Sequence, residues 1–223
     1  LTPASCSNTA NTVLSTPPET PHTTCLSPTL ARMSSMSSRL KSPMSKGETE
    51  RLCLRAFELK DIEPAFRNWT SDDAVTEYLR WSTHRDISVT EMVIKDWIEE
   101  SMKTDFYQWA IVLKELGEPV GTISVVDKNE HLNIVHIGYC IGSKWWHQGI
   151  TSEAFSAIIP FLFEEVGANR IESQHDPNNP HSGNVMKKCG LVYEGTLRQA
   201  DFNNKGIVDA CMYSLLKEEW KNR

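Results

Sequence analysis

An α+β fold is predicted by three features of this sequence. Residues 107–141 read as three successive strands joined by short connections. Residues 150–166 carry a broad apolar stripe at helical spacing. Short strands and helices then alternate towards the end of the chain. Short connections between strands imply an antiparallel meander. The predicted order is β-α-α-β-β-β-α-β-α-β-β.

The elements follow in order. Leu52, Leu54 and Ala56 alternate with Cys53, Arg55 and Phe57, the period-two pattern of a strand. Asp61 is placed to cap a helix over 62–69, with Pro64 tolerated in its first turn. Ser88-Val89-Thr90-Glu91 reads as a capping box. It opens a helix to about Met102, with Met92, Val93 and Trp97 on one face. Strands are expected at 107–113, 119–126 and 133–141, the first two joined by a turn at 115–118. In the helix at 150–166 the stripe is Ile150, Ala154, Phe155, Ile158, Phe161, Leu162 and Val166, and Pro160 should kink it. A strand at 170–175, a short helix at 180–188 and strands at 191–197 and 207–216 complete the order.

Composition bounds the function. About half of residues 1–49 are Ser, Thr or Pro. Such a segment cannot bury enough apolar surface to offset its ordering entropy. A disordered tail without catalytic function is therefore expected at 1–43, and a single domain at 44–223, opening at Met44. The formal net charge is −6, and the part after residue 49 carries about −8. An acidic domain repels phosphate backbones, so nucleic acid is a poor partner; cationic amines or basic proteins are better ones. No apolar run approaches the ~20 residues of a membrane helix, and no secretory signal pattern is visible. Six widely spread cysteines form no CxxC pair. Reduced thiols in a cytoplasmic protein are expected, with neither a disulfide framework nor a metal site.

The stretch from Ile137 to Ala154 carries the chemistry. It reads as a strand, a turn through Trp146-His147-Gln148-Gly149, and a helix start at Ile150-Thr151-Ser152. The amides of a helix's first turn have no internal partners and sit at the positive end of the helix dipole. They make an anion site suited to a pyrophosphate. Gly149 lets the backbone approach closely, and the Thr151 and Ser152 hydroxyls add donors. Many strand-turn-helix units nonetheless bind nothing.

This stretch resembles the acetyl-CoA motif of the GNAT superfamily, in the branch of the RimJ/RimL ribosomal-protein acetyltransferases. Gly138-Tyr139-Cys140-Ile141, Trp146-His147-Gln148-Gly149 and Ser152-Glu153-Ala154 fit that branch; His147 stands where Gly is usual and Ser152 where Thr is commoner. A second block, from Asn179 through Ser182 and Lys188 to Gly190-Leu191, is similar to the segment that follows in the family, with Leu191 in place of Phe. Glu194-Gly195, Gly206-Ile207-Val208-Asp209, Tyr213-Ser214-Leu215 and Arg51-Leu52-Cys53-Leu54-Arg55 also match, so the resemblance spans about residues 49–220.

The resemblance implies a mixed, strongly bent, mostly antiparallel sheet flanked by helices, splayed in the middle, with acetyl-CoA as co-substrate in the gap. It implies contacts from Cys140, Ile141, Trp146, Gln148, Gly149, Ile150, Thr151 and Ser152, and from Asn179 to the pantetheine arm. The strand ending near Cys140-Ile141 carries a bulge in the family; an amide freed there can stabilise an oxyanion. Attack by the amine is direct, so Cys140 is read as a small core residue rather than a nucleophile. Ser182 matches a serine near the CoA sulfur, where it would protonate the thiolate, or else it caps its helix. The base that deprotonates the amine is Glu172, His136 or a water relay. His175 and His181 show no metal-ligand spacing. Trp69, Tyr78, Trp81 and Trp97 belong to the region that lines the acceptor groove, Trp81 being the best exposed candidate.

The expected function is acetyl transfer to a primary amine, above all a protein N-terminal amine, by a monomer or a homodimer. Transfer to a small amine such as an aminoglycoside, polyamine or amino acid is the alternative within enzymes. A CoA-binding regulatory module without turnover is the alternative outside them.

Overall fold

The computed structural model describes residues 47–103 and 105–223 of the 223-residue chain. The tail expected at 1–43 lies outside the described residues. Eight strands form one sheet: β1 (Gly47–Glu48), β2 (Leu52–Arg55), β3 (Gln108–Leu113), β4 (Glu118–Asn129), β5 (Ile134–Ile141), β6 (Arg170–His175), β7 (Val192–Asn203) and β8 (Gly206–Leu216). Their spatial order is β1-β2-β3-β4-β5-β6-β8-β7. Every neighbouring pair is antiparallel except β5 and β6, which run parallel. A parallel pair needs a crossover, and here it is α4 (Ile150–Glu164).

Helices cover both faces, which is why the strand residues of β3 are buried almost without a break. Trp109 and Ile111 point to the side of α4, where Phe155, Ile158 and Leu162 form the larger apolar cluster. Ala110 and Val112 point to the other side. There they meet Ala65 of α1 (Ile62–Ala65), Val75 of α2 (Asp73–Thr76) and Ile94 of α3 (Ile87–Glu100). Each fully buried Leu, Ile or Phe contributes about 1.5–3 kcal/mol. The helix expected at 150–166 forms as α4 and continues through Pro160. The strand at 170–175 forms as β6, and the short helix as α5 (Pro180–Lys188).

Several sequence expectations are corrected. The helix expected at 62–69 is α1 followed by a π-helical turn over Phe66–Thr70. Asp61 gives it no side-chain cap. Its carboxylate instead holds the Arg55 guanidinium at 2.6 and 2.8 Å. The capping box at Ser88 does not form: Asp86, two residues earlier and extended, accepts from the Ser88 amide at 2.8 Å and starts α3 at Ile87. The buried side of α3 is consequently Thr90 and Ile94, with Trp97 and Ile98 beside them, while Met92 is exposed. β7 runs past Leu197 because register shifts at Tyr193/Gly195 and Leu197/Asp201 absorb extra residues. Short elements β1, α2 and a final turn α6 (Lys217–Lys221) were not expected.

The Arg55–Asp61 pair is buried, at 10% and 1% side-chain exposure. Asp61 also accepts from the Glu58 amide at 2.8 Å, and Arg55 donates to the Ala56 carbonyl at 2.9 Å. The Asp61 hydrogen bonds raise the guanidinium pKa above its ordinary value, against the opposing effect of burial. Removing one partner of such a pair strands a charge. Asp61→Ala should therefore cost about 3–5 kcal/mol in urea unfolding, and a double replacement by apolar residues of similar volume, Arg55→Met with Asp61→Leu, should recover most of it. A single-variant cost below about 1 kcal/mol would show the pair to be dispensable.

Candidate active site

The site begins where two strands part. β5 and β6 pair only over Ile134–His136 and Arg170–Glu172. Just beyond, the Ser173 hydroxyl donates to the Ile137 carbonyl at 2.8 Å and closes the fork. From there to Ile141, β5 keeps β4 on one side and has no strand on the other among the described residues. In an antiparallel ladder, alternate residues turn their amides away from the partner. The Gly142 amide donates to the Val120 carbonyl of β4, so the amides of Tyr139 and Ile141 face the gap. The bulge expected in the strand that ends near Cys140-Ile141 falls on its neighbour: the β4–β5 register shifts between Val125 and Asp127, opposite Ile137 and His136, and β5 pairs regularly with β4 over Gly138–Ile141. Splaying rather than bulging leaves these amides free.

The loop after β5 makes a 3-10 turn over Ser143–Trp145 and enters α4 at Gly149. Gly149 is the N-cap, with φ 77°. That left-handed conformation suits glycine, and other residues there cost about 1–2 kcal/mol. His147 also lies at φ 60°, at the position the motif usually fills with Gly. Its ring meets His181 of α5 edge-on, centroids 4.7 Å apart.

The amides of Ile150, Thr151 and Ser152 open the helix. A charge at an exposed helix start is stabilised by about 0.3–1 kcal/mol, and charge-assisted bonds to free amides add to that. Arg51, just before β2, holds the loop from behind. It donates to the Gln148 carbonyl at 3.0 Å and pairs with Glu153 at 2.6 Å. Gln148 itself is turned aside, its amide donating to the Lys144 carbonyl at 3.0 Å.

Together these elements border a cavity of 560 Å³, within the range of small-ligand sites. Of the expected cofactor residues, Cys140, Ile141, Trp146, Gly149, Ile150, Thr151, Ser152 and Asn179 line it; Gln148 does not. The Trp146 indole donates to the Ile141 carbonyl at 2.9 Å and ties the end of β5 to the loop. The Ser152 hydroxyl is committed to the Gly149 carbonyl at 3.0 Å. Asn179 is the N-cap of α5 without a side-chain cap bond. Lys187 and Lys188 also border the cavity. Free amides and a glycine entry, with two lysine residues at the border, fit an anionic ligand of pyrophosphate type.

Ser182 lines the cavity in the first turn of α5. Its hydroxyl does not cap the helix. It lies 2.9 Å from the phenolic oxygen of Tyr139, which also donates to the Ser182 carbonyl at 2.9 Å. Nothing local in sequence ties Tyr139 to a residue forty-three positions on.

Cys140 borders the cavity, but burial pushes its thiol up to about 12. At neutral pH it is a thiol rather than a nucleophilic thiolate. Glu172 and His136 are register partners across the short parallel ladder, and neither lines the cavity. Glu172 accepts from the Arg170 guanidinium at 2.6 Å. Arg170 also bonds Glu194, whose carboxyl the guanidinium holds down at about 2. Burial lowers the His136 pKa; Glu172, Arg80, Asp127 and Asp201 are the charges that act on it.

Of the aromatic side chains assigned to the acceptor region, only Tyr78 borders the cavity. Trp69 is buried, Trp97 packs on Phe57 at 4.9 Å, and Trp81 is half-buried beside His84. The exposed recognition role expected of Trp81 is thus not what its packing provides. Among the described residues, no three His, Cys, Asp or Glu side chains group as a metal site, and no helix is long and apolar enough to cross a membrane.

The sequence profile of the acetyltransferase (GNAT) domain matches residues 51–192. The uncharacterized N-acetyltransferase p20 of Bacillus licheniformis is 31% identical over 172 residues, which cover 77% of this chain and 96% of that protein. The ribosomal-protein-serine acetyltransferase of Escherichia coli (strain K12) is 32% identical over 105 residues, 47% of this chain and 58% of its own. A crystal structure of a GNAT-family acetyltransferase from Bacillus anthracis aligns with a TM-score of 0.69 at 26% identity, covering 78% of this chain and 100% of that one. A match over most of the chain, joined to a splayed sheet with a helix start at its fork, places this protein in the GNAT family as an acetyl-CoA-dependent N-acetyltransferase.

Proposed function

We propose that the acceptor is the N-terminal amine of a protein, acetylated by direct attack on acetyl-CoA bound in the β5–α4–α5 cavity. The observation that carries the catalytic part is the meeting of three groups there: the free Tyr139 and Ile141 amides, the start of α4, and the Ser182 hydroxyl. The acceptor assignment is supported by the kinship to a ribosomal-protein-serine acetyltransferase. It is also supported by the negative charge of the domain, which favours a basic protein partner.

In this reading the pyrophosphate lies on the amides of Ile150, Thr151 and Ser152. The Ile141 amide faces the thioester carbonyl and stabilises the charge that develops on its oxygen. The C–N bond forms and the C–S bond breaks, with the Ser182 hydroxyl hydrogen-bonded to the departing sulfur. The attacking neutral amine loses one proton to the base; the sulfur gains one through Ser182, whose hydroxyl is restored from solvent, so that CoA leaves as its thiol. Neither candidate base lines the cavity, so the proton travels through water; of the two, His136 is the better suited to receive it, because burial keeps its imidazole neutral whereas Glu172 is engaged by Arg170. Acetyl-CoA supplies the acetyl group; no residue of the chain carries it covalently.

A thiol-release assay tests the acceptor. Peptides with a free N-terminal amine should release CoA, and the same peptides with a blocked N-terminus should not. Turnover confined to polyamines, aminoglycosides or free amino acids would replace the protein acceptor by a small one. Release with no amine tried would favour a binding module.

Gly149→Glu should weaken CoA binding about 10- to 100-fold by calorimetry, through a strained backbone and a repelling carboxylate. Gly149→Ala carries the strain alone and should lose less. Equal affinity of Gly149→Glu and the parent would move the pyrophosphate elsewhere.

His136 lowers its pKa on folding, so it remains an unprotonated base down to a pH below about 6.5. The acid limb of the kcat/KM profile should accordingly fall below that pH, where protonation removes the base. His136→Gln should reduce kcat/KM near neutrality about 100-fold and abolish that limb. An unchanged profile would return the role to Glu172 or to water.

A further inference from the structure

Tyr139 sits where two elements meet. Its backbone belongs to the free edge of β5, and its ring packs on Phe155 of α4 with centroids 5.8 Å apart. Its hydroxyl reaches α5 and touches both oxygens of one residue, Ser182 Oγ at 2.9 Å and Ser182 O at 2.9 Å. No other described residue bonds the Ser182 hydroxyl. A serine in the first turn of a helix otherwise turns its hydroxyl back onto a preceding backbone carbonyl. The ring of Tyr139 is fixed by packing, so its phenol holds Oγ out of that local bond.

A phenol has one proton, and two arrangements satisfy this geometry. In the first, Tyr139 donates to the Ser182 carbonyl and the serine proton points back at the phenolic oxygen. In the second, Tyr139 donates to Oγ, and the serine proton is released to face the cavity. Only the second lets Ser182 donate to a sulfur in the cavity. Charge developing on that sulfur favours it, because each donor in the chain polarises the next. Burial raises the phenol above its ordinary pKa, so Tyr139 stays protonated and remains a donor throughout the working range.

We infer that Tyr139 is a positioning residue for Ser182, a phenolic donor that aims the serine hydroxyl at the departing CoA sulfur. The inference rests on the reading of Ser182 given above and extends it to a second residue. No proton leaves Tyr139 in the cycle: it exchanges one hydrogen bond for another. Its contribution is therefore that of one neutral hydrogen bond redirected to Oγ in the transition state, about 3- to 10-fold in rate.

Tyr139→Phe, Ser182→Ala and the double variant test this in the full-length chain. Tyr139→Phe keeps the ring against Phe155 and removes only the hydroxyl. It should lower kcat about 3- to 10-fold, with the Kd for CoA and the melting temperature close to the parent. Ser182→Ala should lower kcat by about 100-fold, the small end of the range for general acids. The double variant should then be no slower than Ser182→Ala alone, since the phenol has lost the group it acts through. If the two losses multiply, Tyr139 does not act through Ser182 and the inference fails while the reading of Ser182 stands. If Ser182→Ala turns over like the parent, the reading of Ser182 fails and the inference with it. A fall in melting temperature with kcat per folded molecule unchanged would assign Tyr139 to packing alone, again overturning the inference.

Discussion

The site exists because β5 and β6 stop pairing after His136. Six residues of parallel ladder, three on each strand, hold the two halves of the sheet together at one end. Past that point, the backbone groups on one side of β5 have no strand to bond. Unpaired backbone groups are costly when buried away from water, so a gap of this kind persists only where ligand, solvent or side chains reach it. Here side chains cover part of it: Ser173 donates to the Ile137 carbonyl, and the Trp146 indole to that of Ile141. The amides between and beside them are left for a bound group. The same parting lets α4 and α5 bring their starts to one cavity, because each helix follows one of the two diverging strands.

The opposite side of the fork is fastened by polar contacts rather than by apolar packing. The β7–β8 hairpin reaches over to the segment after α2. Asn204 donates to the carbonyls of Thr76 and Trp81 at 2.8 Å each. Arg80 pairs with Asp201 at 2.6 Å and lies 5.3 Å over the Phe202 ring. Lys205 pairs with Glu77 at 2.5 Å and sits 4.6 Å over Tyr78, which borders the cavity. Exposed pairs of this sort contribute about 0–1 kcal/mol each. A wall held this way opens more readily than the core beneath it.

Much of the frame was legible in the residues. The stripe of α4, the meander of β3 to β5 and the helix start at Ile150 follow from periodicity, glycine placement and the orphan amides of a first turn. What escaped was of two kinds. Local capping was misassigned where a nearby residue competed: Asp61 was claimed by Arg55, and Ser88 yielded to Asp86. Contacts between distant residues were not legible at all. Arg51 behind the loop, Tyr139 behind Ser182 and Asn204 over Thr76 join positions 43 to 128 residues apart. No spacing rule reaches so far. The bulge was expected by analogy with a motif, whereas the register of β4 with β5 frees the amides by another route.

The contacts of Arg51 and Thr49 reach beyond the loop they hold. The first strand of the sheet is two residues long, and the turn after it sends Thr49 and Arg51 together onto Glu153 at the head of α4. A group bound at the start of α4 thereby also grips the amino-terminal edge of the sheet. Linkage makes the coupling mutual. With a pyrophosphate seated there as proposed, occupancy of the cleft suppresses fraying of β1, and fraying of β1 loosens that turn. In that reading, the edge of the sheet farthest in strand order from the β7–β8 hairpin takes part in holding the co-substrate.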